Sequence, residues 1–395
     1  MSREMFSLLE KEMENLHTAG LFHDEYETGV RDQGSVQVDG QTYIDLTSQD
    51  YLGLALDPAV KKAAQLAIQE DGVSMGSQRF ITGTHRIHQD MERAIANYFQ
   101  MSDAALFATL YQANIGLFES LLTHQDFIFC DLFSHPSVVD GVQLTKAKKS
   151  FYARNDLEDL EDQLKRSPQA RFRVIITEGV FGNDGQIAHL DGICNLADEY
   201  DAIVVVHDSH GVGVIGETGR GSAEVHGVLK RIDLLTASFG VALSGVELAF
   251  VTGQKDIIRW LKQKCKSYVF STSPSPPTVA AARTALDLAD QGQKRRQDLE
   301  ERIQYFRSNL NKMGFRVIKS THPIVGIASH DAVKTQRVID SLYKDQVFAI
   351  GLCYPVVPKG FARIRAHITV SHSMEQLNQA LEAYERAGKK HKILR

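Results

Sequence analysis

Short apolar runs alternate with amphipathic stretches along the first two thirds of the chain. The runs are rich in β-branched residues and predict strands at Ala104–Ala108, Phe127–Cys130, Arg173–Thr177, Ala202–Val206, Asp233–Thr236 and Leu248–Thr252. The stretches between them predict helices at Met91–Phe99, Gln112–Leu122, Leu157–Leu164 and Leu190–Tyr200. This alternation indicates an α/β fold with a mainly parallel sheet covered on both faces, in which ligands bind beyond the carboxyl ends of the strands.

A proline-rich segment, Ser273–Pro277, ends this alternation. Beyond it the chain predicts strands at Phe315–Ile318, Ile324–Ala328 and Ala362–Ala366, and helices at Val333–Tyr343 and Met374–Ala387. Near the start, apolar residues fall at the spacing of an amphipathic helix: Met5, Leu9, Met13 and Leu16. We therefore predict an N-terminal helix and arm (1–45), a large domain (46–275) and a small C-terminal α+β domain (276–395).

Composition and charge narrow the classes of protein. The 395 residues are 43% hydrophobic and 24% charged, as in a globular protein with a sizeable core. A net charge of −5 gives no reason to expect a nucleic-acid partner. The four cysteines lack CxxC spacing, which argues against a zinc site and fits a cytoplasmic protein. Residues 1–17 lack the apolar core of a signal peptide, and the apolar stretch 234–251 contains Glu247 and two glycines, so we expect no membrane span.

A glycine-rich segment, Gly211–Gly216, matches the dinucleotide fingerprint GxGxxG. That fingerprint holds a pyrophosphate only when a helix begins directly after the glycines. Here further loop residues follow, from Glu217 to Ser222, so the segment is interpreted as a glycine-rich turn and a nicotinamide site is rejected.

The tetrapeptide His207–His210 follows the predicted strand Ala202–Val206. A metal site would need further ligands, and no HExxH or paired-carboxylate motif supplies them. In a pyridoxal site, Asp208 would pair with the protonated pyridine nitrogen and His210 would bind the phenolic oxygen. A polar strand end with no chemical role is the remaining interpretation, and the tetrapeptide alone does not separate these last two.

Further motifs occur in a fixed order along the chain: Tyr51–Ala55, Arg79–Thr84, Ala113-Asn114, Val180-Phe181, Asp184-Gly185, Asp208–His210, Gly219–Gly221 and Tyr354–Gly360. Together they resemble the α-oxoamine synthases, which are acyltransferases of the fold-type I, pyridoxal phosphate (PLP)-dependent class. The nearest resemblance is to the glycine C-acetyltransferase (2-amino-3-ketobutyrate CoA ligase) branch, and it covers the chain from Phe6 to about Gly388.

The resemblance implies an aspartate aminotransferase-like fold and a homodimer with its sites at the subunit interface. Leu110 and Tyr111 would cradle the cofactor phosphate through their backbone, and His135 would stack on the ring. Ser238 would hold the phosphate from one subunit and Thr272 from the other. Arg365 would pair with a substrate carboxylate, a role that suits a guanidinium. Gln49 stands where the family has a substrate-side asparagine.

The same resemblance fails at the residue that should hold the cofactor. The family's lysine position within Thr236–Gly245 is occupied by Val241, and no lysine lies between Arg231 and Lys255. Valine can neither bind PLP covalently nor accept a proton, so we expect PLP to be held noncovalently or to be absent. Nearby positions differ as well: the family's glycines are Val246 and Glu247, and its serine after Val180-Phe181 is Gly182. These changes favour natural divergence over a laboratory substitution.

Three functions remain open. The first is a diverged acyltransferase that uses an acyl thioester, carried by coenzyme A or a carrier protein, with His135, His210 and Asp208 as catalytic groups. In it the two histidines would transfer protons, and His207 is a further candidate for proton transfer. The second is a non-catalytic subunit that pairs with a lysine-bearing paralogue, as in heterodimeric serine palmitoyltransferases. The third is an oxoamine synthase that is inactivated at the lysine or condenses free PLP with an amino acid. We favour the first, because Asp208, His210 and Arg365 persist together.

Overall fold

The computed structural model describes residues 3–18, 25–167, 169–243, 245–354 and 356–394. Its helices are α1 Arg3–Thr18, α2 Pro58–Asp71, α3 Arg86–Tyr98, α4 Leu110–Leu121, α5 Pro136–Leu144, α6 Leu157–Lys165, α7 Leu190–Tyr200, α8 Ser222–Val225, α9 Lys255–Lys264, α10 Lys266–Val269, α11 Pro276–Asp290, α12 Gln293–Lys312, α13 Ala332–Lys344 and α14 Met374–His391. Its strands are β1 Thr28–Asp32, β2 Ser35–Val38, β3 Gln41–Asp45, β4 Asp103–Phe107, β5 Phe127–Asp131, β6 Lys148–Tyr152, β7 Arg173–Glu178, β8 Ala202–His207, β9 Leu234–Ser238, β10 Ala249–Gly253, β11 Ile324–Ala328, β12 Val347–Phe348, β13 Ile350–Leu352 and β14 Arg363–His367.

The central sheet has seven strands in the order β4-β10-β9-β8-β7-β5-β6. Strand β10 runs antiparallel to both β4 and β9, and the pairs from β9 to β6 are parallel. The predicted mainly parallel α/β sheet is therefore confirmed. Strand β6 was missed, because its sequence, Lys148–Tyr152, opens with two lysines and lacks an apolar run.

Side-chain alternation along the strands divides the core between the two faces of the sheet. Val204 and Val206 of β8 pack in the larger hydrophobic cluster, whereas Val205 between them packs in the second cluster. Helices cover both faces, and the polar residues at the carboxyl ends of the strands lie between these two apolar layers. The apolar layers therefore fix the backbone that presents the candidate site.

The C-terminal part forms a second sheet, ordered β11-β14-β13, with α13 and α14 packed beside it. The strand predicted at Phe315–Ile318 is wrong: only one isolated bridge, Val317 to Ile327, forms there. The Phe315 amide donates to the carbonyl of Leu310 at the end of α12, and the chain then runs beside β11 with two backbone hydrogen bonds, from Ile318 to Gly326 and from Ala328 to Arg316, without forming a continuous strand. The N-terminal arm joins this part of the chain, since β3 pairs in parallel with β12.

The predicted N-terminal helix is present as α1, and its apolar side chains are exposed. Met5, Leu9 and Met13 are each about half exposed, between 45% and 50%. An apolar face of this kind is what an interface helix would offer, and the homodimer remains a prediction of the family resemblance. No helix in the described ranges has the length and apolar character needed to cross a membrane.

Candidate active site

Four parallel strands end in polar residues at one edge of the central sheet. Asp131 closes β5, Glu178 closes β7, His207 closes β8 and Ser238 closes β9. Glu178 is paired in register with His207, and His207 with Thr236 of the next strand. Because parallel strands end at the same edge, the sheet itself gathers these side chains into one site.

Asp208 lies directly beyond β8 and is completely buried. One carboxylate oxygen accepts a hydrogen bond from the Gly211 amide at 3.1 Å, and the other accepts from the amide and the hydroxyl of Ser222, both at 2.7 Å. A Cβ atom on Gly179, Gly211 or Gly221 would collide with this carboxylate. The glycine-rich turn that resembled a dinucleotide fingerprint therefore encloses Asp208.

Three buried carboxyl groups lie in this region, and burial disfavours the charged form of each. Burial raises the pKa of Asp208 and of Asp131 to about 6, although hydrogen bonds from backbone amides oppose it. Burial also raises the pKa of Glu178 well above its usual value, and the neighbouring Asp131 and Asp208 add to this. Within the described residues, neither Asp208 nor Glu178 forms an ion pair. A cationic or donating ligand group would be favourable here.

His207 is fixed by hydroxyl groups on both sides of its ring. Its Nδ1 lies 2.9 Å from Thr236 Oγ1, and its Nε2 lies 3.2 Å from Ser209 Oγ. Ser209 Oγ also accepts the Ser238 amide at 2.9 Å. Burial, followed by the proximity of His135, lowers the pKa of His207 to about 3. His207 thus links the ends of β8 and β9, and the proton-transfer role considered for it is not supported by these contacts.

His135 caps the N-terminus of α5 and is half-buried above the strand ends. Its Nδ1 accepts the Ser137 amide at 3.1 Å and contacts the Ser137 hydroxyl at 2.7 Å. Its own amide donates to Glu178 Oε1 at 2.7 Å. Burial lowers the pKa of His135, so the ring is neutral near pH 7.

His210 lies two positions after Asp208, in a group of rings that it forms with Tyr51 and His322. Its Nδ1 is 3.0 Å from the hydroxyl of Tyr51. The buried His322 ring accepts the Ile324 amide at Nδ1, 3.1 Å, and so donates from Nε2 to the His210 carbonyl, 3.0 Å. Burial, and then the nearby His322, lower the pKa of His210 well below its usual value.

Arg365 meets His210 at a single residue, Gly182. Arg365 Nη1 donates to the Gly182 carbonyl at 2.9 Å, and a Cβ atom on Gly182 would lie only 2.7 Å from His210 Nε2. The absence of a side chain at Gly182, where the family has serine, therefore leaves room for the His210 ring. Arg365 Nε is buried and has no partner in the described residues, which leaves a donor free for a ligand.

The phosphate cradle predicted at Leu110 and Tyr111 lies at the start of α4. Thr109 caps this helix: its side chain accepts the Gln112 amide at 3.2 Å, and Gln112 Oε1 accepts the Thr109 amide at 3.3 Å. The first amides of a helix lack intrahelical partners and favour an anion. Leu110 and Tyr111 supply those amides, and the Tyr111 ring approaches His135 edge-on at 6.1 Å.

The loop between β9 and β10 holds Val241, the residue that the resemblance places at the family's lysine position. Val241 is half-buried and packs against the main hydrophobic cluster. Ser238 Oγ accepts the Gly240 amide at 2.9 Å, so this hydroxyl already stabilises the turn. Glu247 is exposed, and one of its carboxylate oxygens lies 3.6 Å from where a Gly240 Cβ would be. A negative charge thus stands beside the residue predicted to hold phosphate.

Two residues predicted for the site, Thr272 and Gln49, have no side-chain hydrogen bond to the groups above in the described chain. Thr272 is exposed and forms an isolated bridge with Gln78. Gln49 is partly buried, and its carbonyl accepts the Tyr51 amide.

Sequence reasoning did not identify Glu178 or His322 as site residues, because each is a single polar residue without a motif of its own. Tyr51 stood in a quoted motif, but its partner was 159 positions away. In the described ranges, no group of three His, Cys, Asp or Glu residues is arranged to hold a metal ion.

This sheet, with an acidic residue beyond a central strand and a helix N-terminus at the same edge, defines the fold-type I class of PLP-dependent transferases. The aminotransferase class I and II family matches residues 41–383, and the chain belongs to that family. Within that family the chain groups with the α-oxoamine synthases, to which it is similar over almost its whole length.

The chain is 40% identical to 2-amino-3-ketobutyrate coenzyme A ligase of Escherichia coli (strain K12), covering 98% of each chain. It is 38% identical to 8-amino-7-oxononanoate synthase of Fervidobacterium nodosum, covering 98% of this chain and 99% of the relative. Its fold matches a lysine-to-alanine variant of serine palmitoyltransferase from S. paucimobilis, solved with a PLP–myriocin adduct, with a TM-score of 0.92, 26% identity and 99% coverage of each chain.

The residues present fit the noncovalent half of a PLP site. The buried Asp208 carboxylate has no ion-pair partner in the described chain, and a pyridinium nitrogen would supply one. The start of α4 offers free amides to a phosphate. The covalent half does not fit, because the side chain of Val241 is apolar and packed on the core.

Proposed function

We propose that the protein is an acyltransferase of the α-oxoamine synthase type that uses an acyl thioester without a lysine-bound PLP. The observation that carries this proposal is the meeting of Arg365 and His210 at Gly182, while Val241 occupies the lysine position. The proposal is supported by the retention of Asp208, His210 and Arg365, the polar groups that would contact the substrate, in a chain that has valine in place of the covalent anchor. A purely structural subunit would not need them.

Arg365 indicates the chemical class of the acceptor, or of a decarboxylating donor: it carries a carboxylate. Its Nη1 is held by the Gly182 carbonyl and its Nε is free, so the guanidinium is oriented to receive a carboxylate. A carboxylate bound there would place its neighbouring carbon beside His210 Nε2. The thioester carbonyl is electrophilic without activation by a cofactor, which leaves orientation and stabilisation of charge to the protein.

PLP, when bound, would be held by Asp208, His135, the start of α4 and Ser238, with Thr272 of a second subunit. It would supply an electron sink for carbanion chemistry. Glu247 opposes its phosphate, so we expect the affinity for PLP to be weak. The side chains of His135, His210 and Arg365 position the substrate and exclude water with or without the cofactor.

Thiol release from a panel of acyl-CoA and acyl-carrier substrates, with amino acids or keto acids as acceptors, tests this proposal. His135→Ala or His210→Ala should lower kcat by at least ~10²-fold, the range of a lost polar catalytic group. Arg365→Ala should mainly raise the KM for the carboxylate substrate. Arg386→Ala, at a surface ion pair on α14, is the matched control and should change neither constant.

The rival assignment is a non-catalytic partner subunit. It would be supported if the purified chain released no thiol with any substrate, while addition of a lysine-bearing paralogue gave a stable heterodimer with activity unaffected by the three site variants. That combination would overturn the proposed function.

A further inference from the structure

The two histidines nearest the substrate region are both anchored through Nδ1. A neutral imidazole carries one proton, so a ring that accepts a hydrogen bond at Nδ1 must carry its proton on Nε2. The direction of each Nδ1 contact therefore decides what chemistry the opposite nitrogen can perform.

For His135 the direction is set by the backbone. The Ser137 N–H can only donate, and it lies 3.1 Å from His135 Nδ1, which is thereby an acceptor. The Ser137 hydroxyl receives a hydrogen bond from Asn114 Nδ2 at 2.8 Å, and its own proton is free to reinforce the same nitrogen. Nε2 of His135 has no partner in the described residues, so its N–H is available to a ligand.

For His210 the direction follows from Tyr51. The Tyr51 side chain is completely buried, and its hydroxyl contacts His210 Nδ1 and no other group in the described chain. If Nδ1 donated, the buried tyrosine proton would have no acceptor, at a substantial cost in free energy. Burial raises the pKa of Tyr51 far above its usual value, so the hydroxyl keeps its proton and donates it.

His322 holds the same ring from its backbone side. Its Nε2–H donates to the His210 carbonyl, because its Nδ1 already accepts the Ile324 amide. With the carbonyl and Nδ1 both fixed, His210 Nε2 stands at the space left by Gly182, beside the guanidinium of Arg365.

We infer that His135 and His210 are neutral imidazoles locked with the proton on Nε2, and that they donate hydrogen bonds to a substrate oxygen that becomes negative, rather than remove a proton. Tyr51 is the positioning residue for His210, and the Ser137 amide performs that task for His135. This inference rests on the proposed acyl transfer for its substrate: the oxygen is that of the thioester carbonyl. As the acceptor bonds to the acyl carbon, the carbon–sulfur bond breaks, and the released thiolate takes up the proton that the acceptor loses. Donors held before the reaction stabilise such an oxygen without reorganising.

The first test reads the tautomers directly and needs no substrate. In protein with ring-¹⁵N histidine, His135 and His210 should each show a protonated Nε2 and an unprotonated Nδ1 at pH 7.5, with signals assigned from His135→Asn and His210→Asn. Tyr51→Phe should release His210 into a mixture of tautomers. Ser137→Ala should leave His135 unchanged, because the backbone amide remains. Tyr384→Phe is the matched control, since that buried hydroxyl has no partner in the described residues.

The second test separates a donor from a base by activity. A glutamine amide can donate a hydrogen bond but cannot accept a proton, so His210→Gln should retain kcat within about tenfold of wild type, whereas His210→Ala should lose ~10²–10³-fold. Equal losses in both variants, or a protonated Nδ1 in either wild-type ring, would overturn the inference. If no acyl transfer is found, the proposed function fails, and the tautomer result still stands or falls on its own.

Discussion

At the scale of single residues, the buried histidines couple the stability of the fold to pH. Burial lowers the pKa of His207, His322 and His367 to about 3, below the ordinary value of 6.5. Each remains neutral in the folded chain at pH 5, where the unfolded chain binds a proton. The contribution of these three histidines to the free energy of unfolding is therefore fully present above pH 6.5 and decreases as the pH falls.

Lowering the pH from 7 to 5 should remove the stability that these three histidines contribute. Each of the three histidines costs about 2 kcal/mol at pH 5. Asp131 and Asp208, whose pKa values are raised to about 6, oppose this, because they gain protons more readily when folded. Urea unfolding at several pH values measures the slope, and His367→Gln should reduce it by about a third of the histidine contribution. A stability that is flat or rises toward pH 5 would contradict the assignment.

Sequence reasoning reached part of the site at this scale. Asp208 and His210 were identified because they follow a predicted strand within a family motif. The contact of Tyr51 with His210 could not be predicted, since it joins residues 159 positions apart and depends on how distant segments of the chain pack together. The effect of Gly182 on the His210 ring is likewise a property of packing.

At the scale of elements, a buried ionic group ties the loop after β7 to the C-terminal sheet. Asp184 is completely buried and pairs with Arg154 at 2.9 Å and also with Arg363, the first residue of β14. The loop that holds Gly182 and the strand that carries Arg365 are thereby fixed to each other. This pairing therefore sets the position of the Arg365 guanidinium relative to Gly182.

Asp184→Ala should destabilise the fold by about 3–5 kcal/mol, because it leaves the buried guanidinium of Arg363 and the partly buried guanidinium of Arg154 without their anion. Denaturant unfolding measures this loss. The matched control is Asp345→Ala, which breaks the exposed pair with Arg386 and should cost less than about 1 kcal/mol. Equal losses for the two variants would show that the buried group does not hold the elements together.

The strands and helices of the large domain were predictable because each is a short apolar run or an amphipathic stretch. The prediction was wrong at Phe315–Ile318, where the chain forms an isolated bridge to β11 and not a continuous strand, and it missed β6, which lies at the sheet edge. Periodicity reports local burial. It does not indicate which strands pair with each other, so the errors occur at a sheet edge and in an irregular segment.

At the scale of the whole molecule, the chain keeps the fold of its relatives, and the resemblance places Val241 at the position of the lysine that would hold PLP. The exposed apolar side chains of α1 and the exposed Thr272 are both explained if two subunits complete each site, as the resemblance implies. Such an assembly would bring a second wall to the site. The central claim is that acyl transfer proceeds there without a covalent link to the cofactor.

The most direct test is the rate of acyl-thioester consumption before and after borohydride treatment in the presence of PLP. Borohydride fixes a lysine-bound PLP permanently to the protein and inactivates an enzyme that depends on that link. After desalting and renewed addition of PLP, we expect the wild-type rate to be unchanged and the protein mass to show no added pyridoxyl group. Loss of activity together with a pyridoxyl group on an active-site lysine would contradict the claim.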